Sequence, residues 1–219
     1  RQWDEVERLQ RELVCSWAAR VLAVRAVADT NAQAGVDGVR WKSDIDKARA
    51  AQTLTNRGYR PLPYRHTEIE ENGKHRVIHV PAARDKAMLL LYAYALDPVS
   101  ESTADRKSFS ARKGRSVFDA HAWLVQELTG EDAPDLVVVI DVKAYYSSIT
   151  HDRLIEEIPM DKAMLKKFLK AGVIRDGELF STDKGISLGT SLSPILGNML
   201  LDGLQSYIYD KLYPHGGVD

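Results

Sequence analysis

The sequence has little cysteine, no large excess of charge and no long hydrophobic run. Cys15 is the only cysteine among 219 residues, which excludes an internal disulfide and a cysteine-based metal cage and favours a reducing compartment. We expect its thiol to be buried or half-buried. The longest apolar stretch, 87–96, is about half of the roughly 20 residues that a membrane-spanning helix needs. Without a signal segment at the start, the sequence predicts a cytoplasmic protein with no membrane partner.

The overall charge does not indicate a class of binding partner. Thirty Lys and Arg residues stand against 31 Asp and Glu residues, so the net charge is −1. This balance does not point to nucleic acid, a membrane surface or an acidic ligand, and any binding face must come from local clustering. With 44% hydrophobic and 28% charged residues, the chain can bury one substantial core.

Apolar spacing predicts helices in the first half of the chain. A stripe that includes Trp3, Leu9 and Trp17 recurs at three- and four-residue spacing, which predicts one amphipathic helix over about 1–30 with this stripe in the core. Ser43 and Asp46 predict a capping box for a second helix. The run from 82 to about 102 is apolar on more than one face, which predicts a mostly buried helix.

Two turn signals and an apolar run predict strands. Asn72-Gly73 lies between alternating segments over 62–80, which is typical of a β-hairpin. A second hairpin is predicted at Asp176-Gly177. The five β-branched and aliphatic residues 136–140 predict a fully covered central strand. We further expect helices at about 115–128, 151–158 and 161–171 and one long helix over about 193–212.

Asp141 directly follows the predicted central strand. A carboxylate at the end of a buried strand is costly without a partner, because desolvation penalises its ionised form. A cation or a metal is therefore expected near it. Taken alone, a strand-terminal Asp is more often a helix cap or a turn residue.

The neighbours of Asp141 change this interpretation. The segment "VVVIDVKAYYSSITHDRL" resembles the first catalytic motif of reverse transcriptases, in which a strand ends in a metal-binding Asp and an aromatic residue follows five positions later. The resemblance implies that Asp141 and the carbonyl of Val142 bind Mg²⁺. It also implies that Tyr146 packs under the sugar of an incoming deoxynucleotide and excludes a 2′-hydroxyl.

The resemblance extends over most of the chain and is strongest to reverse transcriptases of group II introns. "AGVDG" at 34–38 is similar to their N-terminal loop motif, and "NGKHRVIHVPAARDKAM" to their fingers hairpin and following helix. Segment 95–120 is similar to their second conserved block. "GISLGTSLSPILGNMLLDGLQ" is similar to the glycine motif and its helix, which places Gly189 at the nucleotide and Ser193 and Pro194 at the template–primer. As residues alone, they indicate only a helix start.

Basic residues are candidates for contacts to phosphate. Arg112, Lys113 and Arg115 lie in a stretch without acids and are expected to contact template or primer, although a solvated surface would give the same pattern. By resemblance, Lys74 and Arg76 bind the triphosphate of the nucleotide, and Arg76 suits this role because a guanidinium can bind phosphate with two hydrogen bonds.

Two further basic residues leave alternatives open. Arg84 and Lys86 could line the same channel or form a buried ion pair with Asp85 or Asp97.

Three features depart from the family pattern. Leu188 stands where the family has a Gln. Glu70 and Glu71 stand where relatives carry a basic residue, and they would repel a triphosphate. The Tyr-x-Asp-Asp hairpin is absent before Asp219, so we expect the sequence to be a piece of a longer chain.

The resemblance implies an α+β fold, the fingers and partial palm of a right-hand polymerase. We expect an N-terminal helical extension and loop motif over 1–60, fingers with the start of the palm over 61–134, and palm over 135–219. The function implied is RNA-directed DNA polymerisation with two Mg²⁺, or Mn²⁺, in the complete enzyme; the segment alone should be inactive.

The implied partners are an RNA template, a DNA or RNA primer, deoxynucleotides and intron RNA, with a homodimer left open. Three alternatives remain. One is a domesticated reverse transcriptase in phage defence or CRISPR spacer acquisition. Another is an RNA-binding maturase, or splicing factor. The last is an unrelated α+β domain with a structural Asp141.

Overall fold

The computed structural model describes residues 2–30, 33–71, 73–131 and 133–212. Its helices are α1 Gln2–Cys15, α2 Trp17–Asp29, α3 Asp44–Thr53, α4 Ala83–Thr103, α5 Val117–Thr129, α6 Tyr145–Ser148, α7 His151–Glu157, α8 Lys162–Leu169, α9 Ser193–Leu201 and α10 Leu204–Leu212. Its strands are β1 Tyr64–Glu71, β2 Lys74–Val80, β3 Val173–Arg175 and β4 Glu178–Phe180. This mixture of helices and one sheet is an α+β fold, as the sequence predicts.

The four strands form one sheet in the order β2-β1-β3-β4. Strands β1 and β2 pair antiparallel, with Ile69 opposite Arg76. Strand β3 pairs parallel to β1 and antiparallel to β4. Asp176 and Gly177 have φ angles of 55° and 85°, which is the left-handed pair that a two-residue hairpin turn requires. Both predicted hairpins are therefore confirmed.

Helix α4 is the centre of the hydrophobic core. It packs against α1, α2 and α9, and most of its residues are buried on more than one face, as its sequence predicts. Its buried Asp85 accepts hydrogen bonds from the Tyr59 hydroxyl (2.7 Å) and the Leu62 N–H (2.9 Å). Burial raises the pKa of Asp85, and these two hydrogen bonds partly oppose the rise. Asp85 thus ties the chain before β1 to α4.

The predicted N-terminal helix is divided, and much of its stripe is not core. Ser16 has an extended backbone (φ −64°, ψ 130°) and separates α1 from α2. Because this break rotates one helix relative to the other, a continuous stripe cannot face α4 along its whole length. Trp3, Leu9 and Trp17 are more than half exposed, so their assignment to the core was wrong. Cys15 is also exposed, contrary to expectation.

The predicted long C-terminal helix is also divided. Helix α9 ends at Leu201, and Gly203 has a φ of 87°, a left-handed conformation that ends helices. The Asp105 carboxylate accepts hydrogen bonds from the N–H groups of Gly203 and Gln205, each at 3.2 Å. Side-chain capping therefore fixes the corner between α9 and α10, which periodicity alone did not show.

The predicted cap of α3 is confirmed. The Ser43 side chain accepts from the Asp46 N–H, and the Asp46 carboxylate accepts from the Ser43 N–H. Ser116 and Asp119 form the same reciprocal arrangement at the start of α5. In the part of the chain that the structure describes, no helix is both long enough and apolar enough to cross a membrane.

The glycine-containing loop before α3 lies directly on the start of α4. A Cβ atom at Gly35 would lie 2.5 Å from Ala82 Cα and 2.6 Å from the Pro81 carbonyl oxygen. We expect Gly35→Ala to lower the free energy of unfolding by about 2 kcal/mol, because packed backbone must move. Urea denaturation measures this.

Gly38→Ala is the matched control for this prediction. Gly38 has a φ of 65° but no atom within 4 Å of an added Cβ, so Ala there should cost only about 1 kcal/mol from backbone strain. A Gly35→Ala protein that is more stable than Gly38→Ala would contradict the prediction.

Candidate active site

The segment before Asp141 is not the covered strand that its sequence predicts. Residues 136–140 are not assigned to any strand, and their exposed fractions range from 56% to 91%. A β-branched run forms a strand only where neighbours take its backbone hydrogen bonds and cover its faces. Among the described residues, no strand pairs with it. Asp141 is consequently exposed to solvent, not buried at a strand end.

The residues after Asp141 turn sharply into α6. Ala144 has a φ of 54° and a ψ of 35° and precedes the helix. The rings of Tyr145 and Tyr146 lie edge to face, with centroids 5.4 Å apart. The Tyr145 hydroxyl donates to the Gly197 carbonyl oxygen at 2.7 Å. This bond fixes α6 against the middle of α9.

Gly197 also sets the position of the Tyr146 ring. A Cβ at Gly197 would lie 3.0 Å from Tyr146 Cε1 and 3.2 Å from its hydroxyl oxygen. Burial raises the pKa of the Tyr146 hydroxyl. The sequence interpretation did not identify Gly197, although a glycine inside a predicted helix is a signal of close packing.

The glycine motif connects α6 to the fingers hairpin. The Ile186 N–H donates to the Tyr146 carbonyl oxygen (2.8 Å), and the His79 N–H donates to the Leu188 carbonyl oxygen (3.0 Å). Gly189 has a φ of 90°, and an added Cβ would lie 3.4 Å from Ile78 Cβ. This distance is an ordinary van der Waals contact, so the positive φ angle rather than crowding is what favours glycine at this position. The expected place of Gly189 at the nucleotide stays a prediction.

The two residues after this motif have different environments. Ser193 is buried, and its hydroxyl donates to the Ser187 carbonyl oxygen at 2.6 Å. This hydrogen bond fixes the turn. The expected contact of Ser193 with template–primer stays a prediction. Pro194 lies in the first turn of α9 and is half-buried. The Leu188 side chain is 42% exposed beside this turn.

The hairpin places its predicted phosphate ligands on β2. Arg76 is exposed and lies opposite Ile69 on β1. Lys74 begins β2, but its side chain lies outside the described part of the structure. Glu70 is exposed on the neighbouring strand, so its negative charge can act on any anion that Arg76 binds.

Arg112 is a structural residue in this chain. Its side chain is 2% exposed, and its guanidinium pairs with Asp202 at 2.8 Å and Glu101 at 3.6 Å. It also donates to the Ser108 hydroxyl at 2.9 Å. Its hydrogen-bonding groups thus join the basic segment to the corner between α9 and α10. The expected contact of Arg112 with template or primer would require these groups to change partners.

The two neighbouring basic residues are paired as well. Lys113 lies 2.8 Å from Asp97 but is 75% exposed, so it could exchange this partner for phosphate at little cost. Arg115 pairs with Glu101 and donates to the Ser108 carbonyl oxygen.

Arg84 and Lys86 lie at the start of α4. The Arg84 guanidinium lies over the Tyr59 ring, 5.2 Å from its centroid. Among the described residues, no ion pair joins Arg84 or Lys86 to Asp85 or Asp97, so the structure does not show the ion-pair alternative. Asp97 pairs with Lys113, and Asp85 accepts hydrogen bonds from Tyr59 and Leu62.

The ligands for a divalent cation fit in type but not in number. The Asp141 carboxylate and the Val142 carbonyl are oxygen donors, which Mg²⁺ prefers, and Mg²⁺ is usually bound by one or two carboxylates with waters and substrate phosphates. Among the described residues, no group of three His, Cys, Asp or Glu side chains could hold a metal. Asp141 can thus contribute one ligand to a site that needs others.

Comparison with known proteins decides the family. A family model described as "Reverse transcriptase (RNA-dependent DNA polymerase)" matches residues 65–214. The chain belongs to the reverse transcriptase family. A second model, "N-terminal domain of reverse transcriptase", matches residues 1–54 of the chain.

Its relatives include proteins encoded by group II introns. The chain is 28% identical to Protein YkfC of Escherichia coli over 94% of its own length and 58% of that protein. It is 27% identical to the group II intron-encoded protein LtrA of Lactococcus lactis over 72% of this chain and 27% of that protein. These relations support the group II type. The chain thus spans little more than half of the length of one relative and about a quarter of the length of the other.

A solved structure has the same fold. The protein matches a chain of the "Partial Cas6-RT-Cas1--Cas2 complex" with a TM-score of 0.57 and 16% identity, over 95% of its own length and 35% of that chain. At this identity the match supports the α+β reverse transcriptase fold alone. The division at residues 60 and 134 stays a prediction.

Proposed function

We propose that this chain forms the fingers and the first part of the palm of an RNA-directed DNA polymerase of group II intron type. The observation that carries the proposal is the junction of α6, α9 and the glycine motif. There Tyr146 packs on Gly197, its carbonyl accepts from Ile186, and the exposed Asp141 lies five positions before it.

Each group that the proposal uses, in this junction and on β2, has a defined part in the proposed reaction. The Arg76 guanidinium binds the triphosphate of the incoming nucleotide with charge-assisted hydrogen bonds. The Tyr146 ring packs under the sugar and excludes a 2′-hydroxyl. The Asp141 carboxylate and the Val142 carbonyl would hold Mg²⁺, which would supply positive charge against the negative charge of the phosphoryl transfer. Tyr145, through Gly197, keeps α6 and α9 in register.

Primer extension by the complete protein tests this proposal. A DNA primer annealed to an RNA template should be extended with deoxynucleotides and Mg²⁺. Extension should stop when EDTA removes the metal, whereas RNA binding measured by filter retention should persist. RNA binding without extension would contradict the polymerase proposal and support the RNA-binding maturase instead.

The domesticated alternative concerns biological role rather than chemistry. The exposed Leu188 in place of the family Gln favours it, since this side chain cannot donate a hydrogen bond to the nucleotide site. The test is the template: an intron-type enzyme should bind its own intron RNA more tightly than an unrelated structured RNA of equal length. Equal affinity for both RNAs would favour the domesticated role.

Gly197→Ala should reduce discrimination between deoxynucleotides and ribonucleotides by about tenfold or more, because the added Cβ displaces the Tyr146 ring and small displacements at a reacting substrate are costly. The measurement is the ratio of kcat/KM values for a dNTP and the matching rNTP. Ala is favoured over Gly in a helix by about 1 kcal/mol, so global unfolding is not the expected cause. An unchanged ratio would contradict this placement of Tyr146.

A further inference from the structure

The glycine-motif loop, residues 185–190, connects the two parts of the proposed nucleotide site. The Ile186 N–H donates at 2.8 Å to the carbonyl oxygen of Tyr146, the residue expected to pack under the sugar. The Leu188 carbonyl oxygen accepts at 3.0 Å from the N–H of His79 on β2. The loop therefore joins the proposed sugar contact to the strand expected to bind the triphosphate.

The first end of this loop is held by α7 and the residue pair before it. His151, at the start of α7, is 4% exposed, and its Nε2 donates to the Gly185 carbonyl oxygen at 3.0 Å. The Gly185 N–H donates to the Ile149 carbonyl oxygen at 2.7 Å. Together with the bond between Ile186 and Tyr146, these contacts fix two successive residues of the loop. The spacing between the loop and β2 is set by contacts further along.

The second end of the loop is held by His79, through both its backbone and its side chain. Its imidazole Nδ1 lies 3.2 Å from the Ser187 hydroxyl oxygen. A neutral imidazole has one donor and one acceptor nitrogen, and a hydroxyl can take either part, so this pair forms a hydrogen bond in either tautomer. The Ser187 carbonyl oxygen also accepts from the buried Ser193 hydroxyl at 2.6 Å. The pair is thereby connected to the start of α9.

The surroundings of His79 favour an uncharged ring at neutral pH. The residue is half-buried, and burial lowers the pKa of His79, which the nearby His66 lowers further. His66 lies directly opposite on β1, with the ring centroids 5.9 Å apart, and its Nε2 lies 3.8 Å from a Glu68 carboxylate oxygen. An uncharged imidazole has no net attraction for a triphosphate, so the contact with Ser187 is what His79 adds to this site.

We propose that His79 is a positioning residue for the incoming deoxynucleotide, which acts through Ser187 to set the spacing between the glycine-motif loop and β2. Arg76 lies three positions before His79 on the same strand. A loop and a strand that already have the correct spacing lose less conformational entropy when a nucleotide bridges them. The proposal rests on the proposed function, because it assigns His79 a part in nucleotide binding at that same site.

Steady-state incorporation of a single dNTP by the complete protein, with a DNA primer on an RNA template, tests this. His79→Leu keeps much of the bulk of the side chain but removes its hydrogen bond, and Ser187→Ala removes the partner. Each should raise the KM for the dNTP about fivefold, the effect of one typical hydrogen bond, with kcat changed by less than about twofold. His79→Asn should restore most of the wild-type KM, because the polar atoms of its amide lie close to the position of Nδ1.

The division between KM and kcat separates positioning from a general structural role. A variant that only folds less well contains less active enzyme, which lowers the apparent kcat and leaves KM unchanged. His79→Leu combined with Ser187→Ala should raise KM no further than either change alone, since both remove the same bond. The matched control is His66→Leu, which removes a half-buried imidazole from the same face of the sheet and should keep the wild-type KM.

The outcomes distinguish this proposal from the proposed function. If the wild-type protein extends the primer but KM is unchanged in His79→Leu and Ser187→Ala, or if their effects multiply in the double variant, the role of His79 is overturned and the polymerase stands. If the wild-type protein does not extend the primer, the polymerase proposal falls and the role of His79 falls with it. Should His79→Leu fail to fold, Ser187→Ala decides, because this small change leaves β2 intact.

Discussion

Asp141→Asn in the complete protein is expected to lower the rate of primer extension by at least about 1000-fold, or about 4 kcal/mol of transition-state stabilisation. Asn keeps the size of the side chain but removes the charge that binds a divalent cation. Because Asp141 is exposed and no described residue forms an ion pair with it, the change should leave the folded structure intact. Single-turnover extension and RNA affinity by filter retention measure the two effects separately.

Asp135→Asn is the matched control, since Asp135 is an exposed carboxylate near the other end of the same unpaired segment. It should extend primers at close to the wild-type rate. If Asp141→Asn lost less than tenfold in rate, or lost RNA affinity in parallel, the assignment of Asp141 as a metal ligand would be wrong.

Arg112→Met should lower the free energy of unfolding by about 3 to 5 kcal/mol, because it leaves Asp202 without its partner in a poorly solvated position. Burial raises the pKa of Asp202, the Arg112 charge opposes this rise, and Asp105 adds to it. Without Arg112, the folded-state pKa of Asp202 rises further. The stability deficit should therefore be largest at neutral pH and shrink as the pH falls and Asp202 takes up a proton.

Two variants separate the buried pair from charge loss in general. Lys113→Met removes an exposed ion pair with Asp97 and should cost less than about 1 kcal/mol. Arg112→Met combined with Asp202→Leu should recover most of the loss, because both buried charges are then gone. A deficit for Arg112→Met no larger than that for Lys113→Met, measured by urea denaturation at pH 7, would show that Arg112 is not structural.

Local sequence signals predicted the elements that local chemistry determines. The Ser43–Asp46 cap and both hairpin turns follow from residues within four positions of one another. The buried α4 follows from apolar residues on more than one of its faces. In these cases the same residues that carry the signal also make the contacts, so no knowledge of distant segments was needed.

Signals that depend on distant partners were less informative. The apolar run 136–140 has the composition of a covered strand, but its cover would have to come from other segments, and the described residues do not provide it. Arg112 lies in a basic segment, yet its guanidinium forms an ion pair with Asp202, which lies 90 positions later in the chain. No local pattern distinguishes such an arginine from one that contacts phosphate.

In the candidate site too, the sequence indicated residues within one motif but not the contacts between distant segments. The family motif located Asp141, Tyr146 and Gly189, but not the contact between Tyr146 and Gly197 that positions the ring. That contact joins residues 51 positions apart through the packing of α6 on α9. The sequence indicates this contact only through a glycine inside a predicted helix.

Iron-directed cleavage of the backbone tests the metal assignment most directly. In the complete protein with primer–template and nucleotide, Fe²⁺ replaces Mg²⁺, and ascorbate with peroxide then generates hydroxyl radicals that cut the chain next to the bound ion. Our account predicts that the fragments end within 140–147 and that Asp141→Asn abolishes this cut. Cleavage elsewhere only, or cleavage at 140–147 that persists in Asp141→Asn, would contradict it.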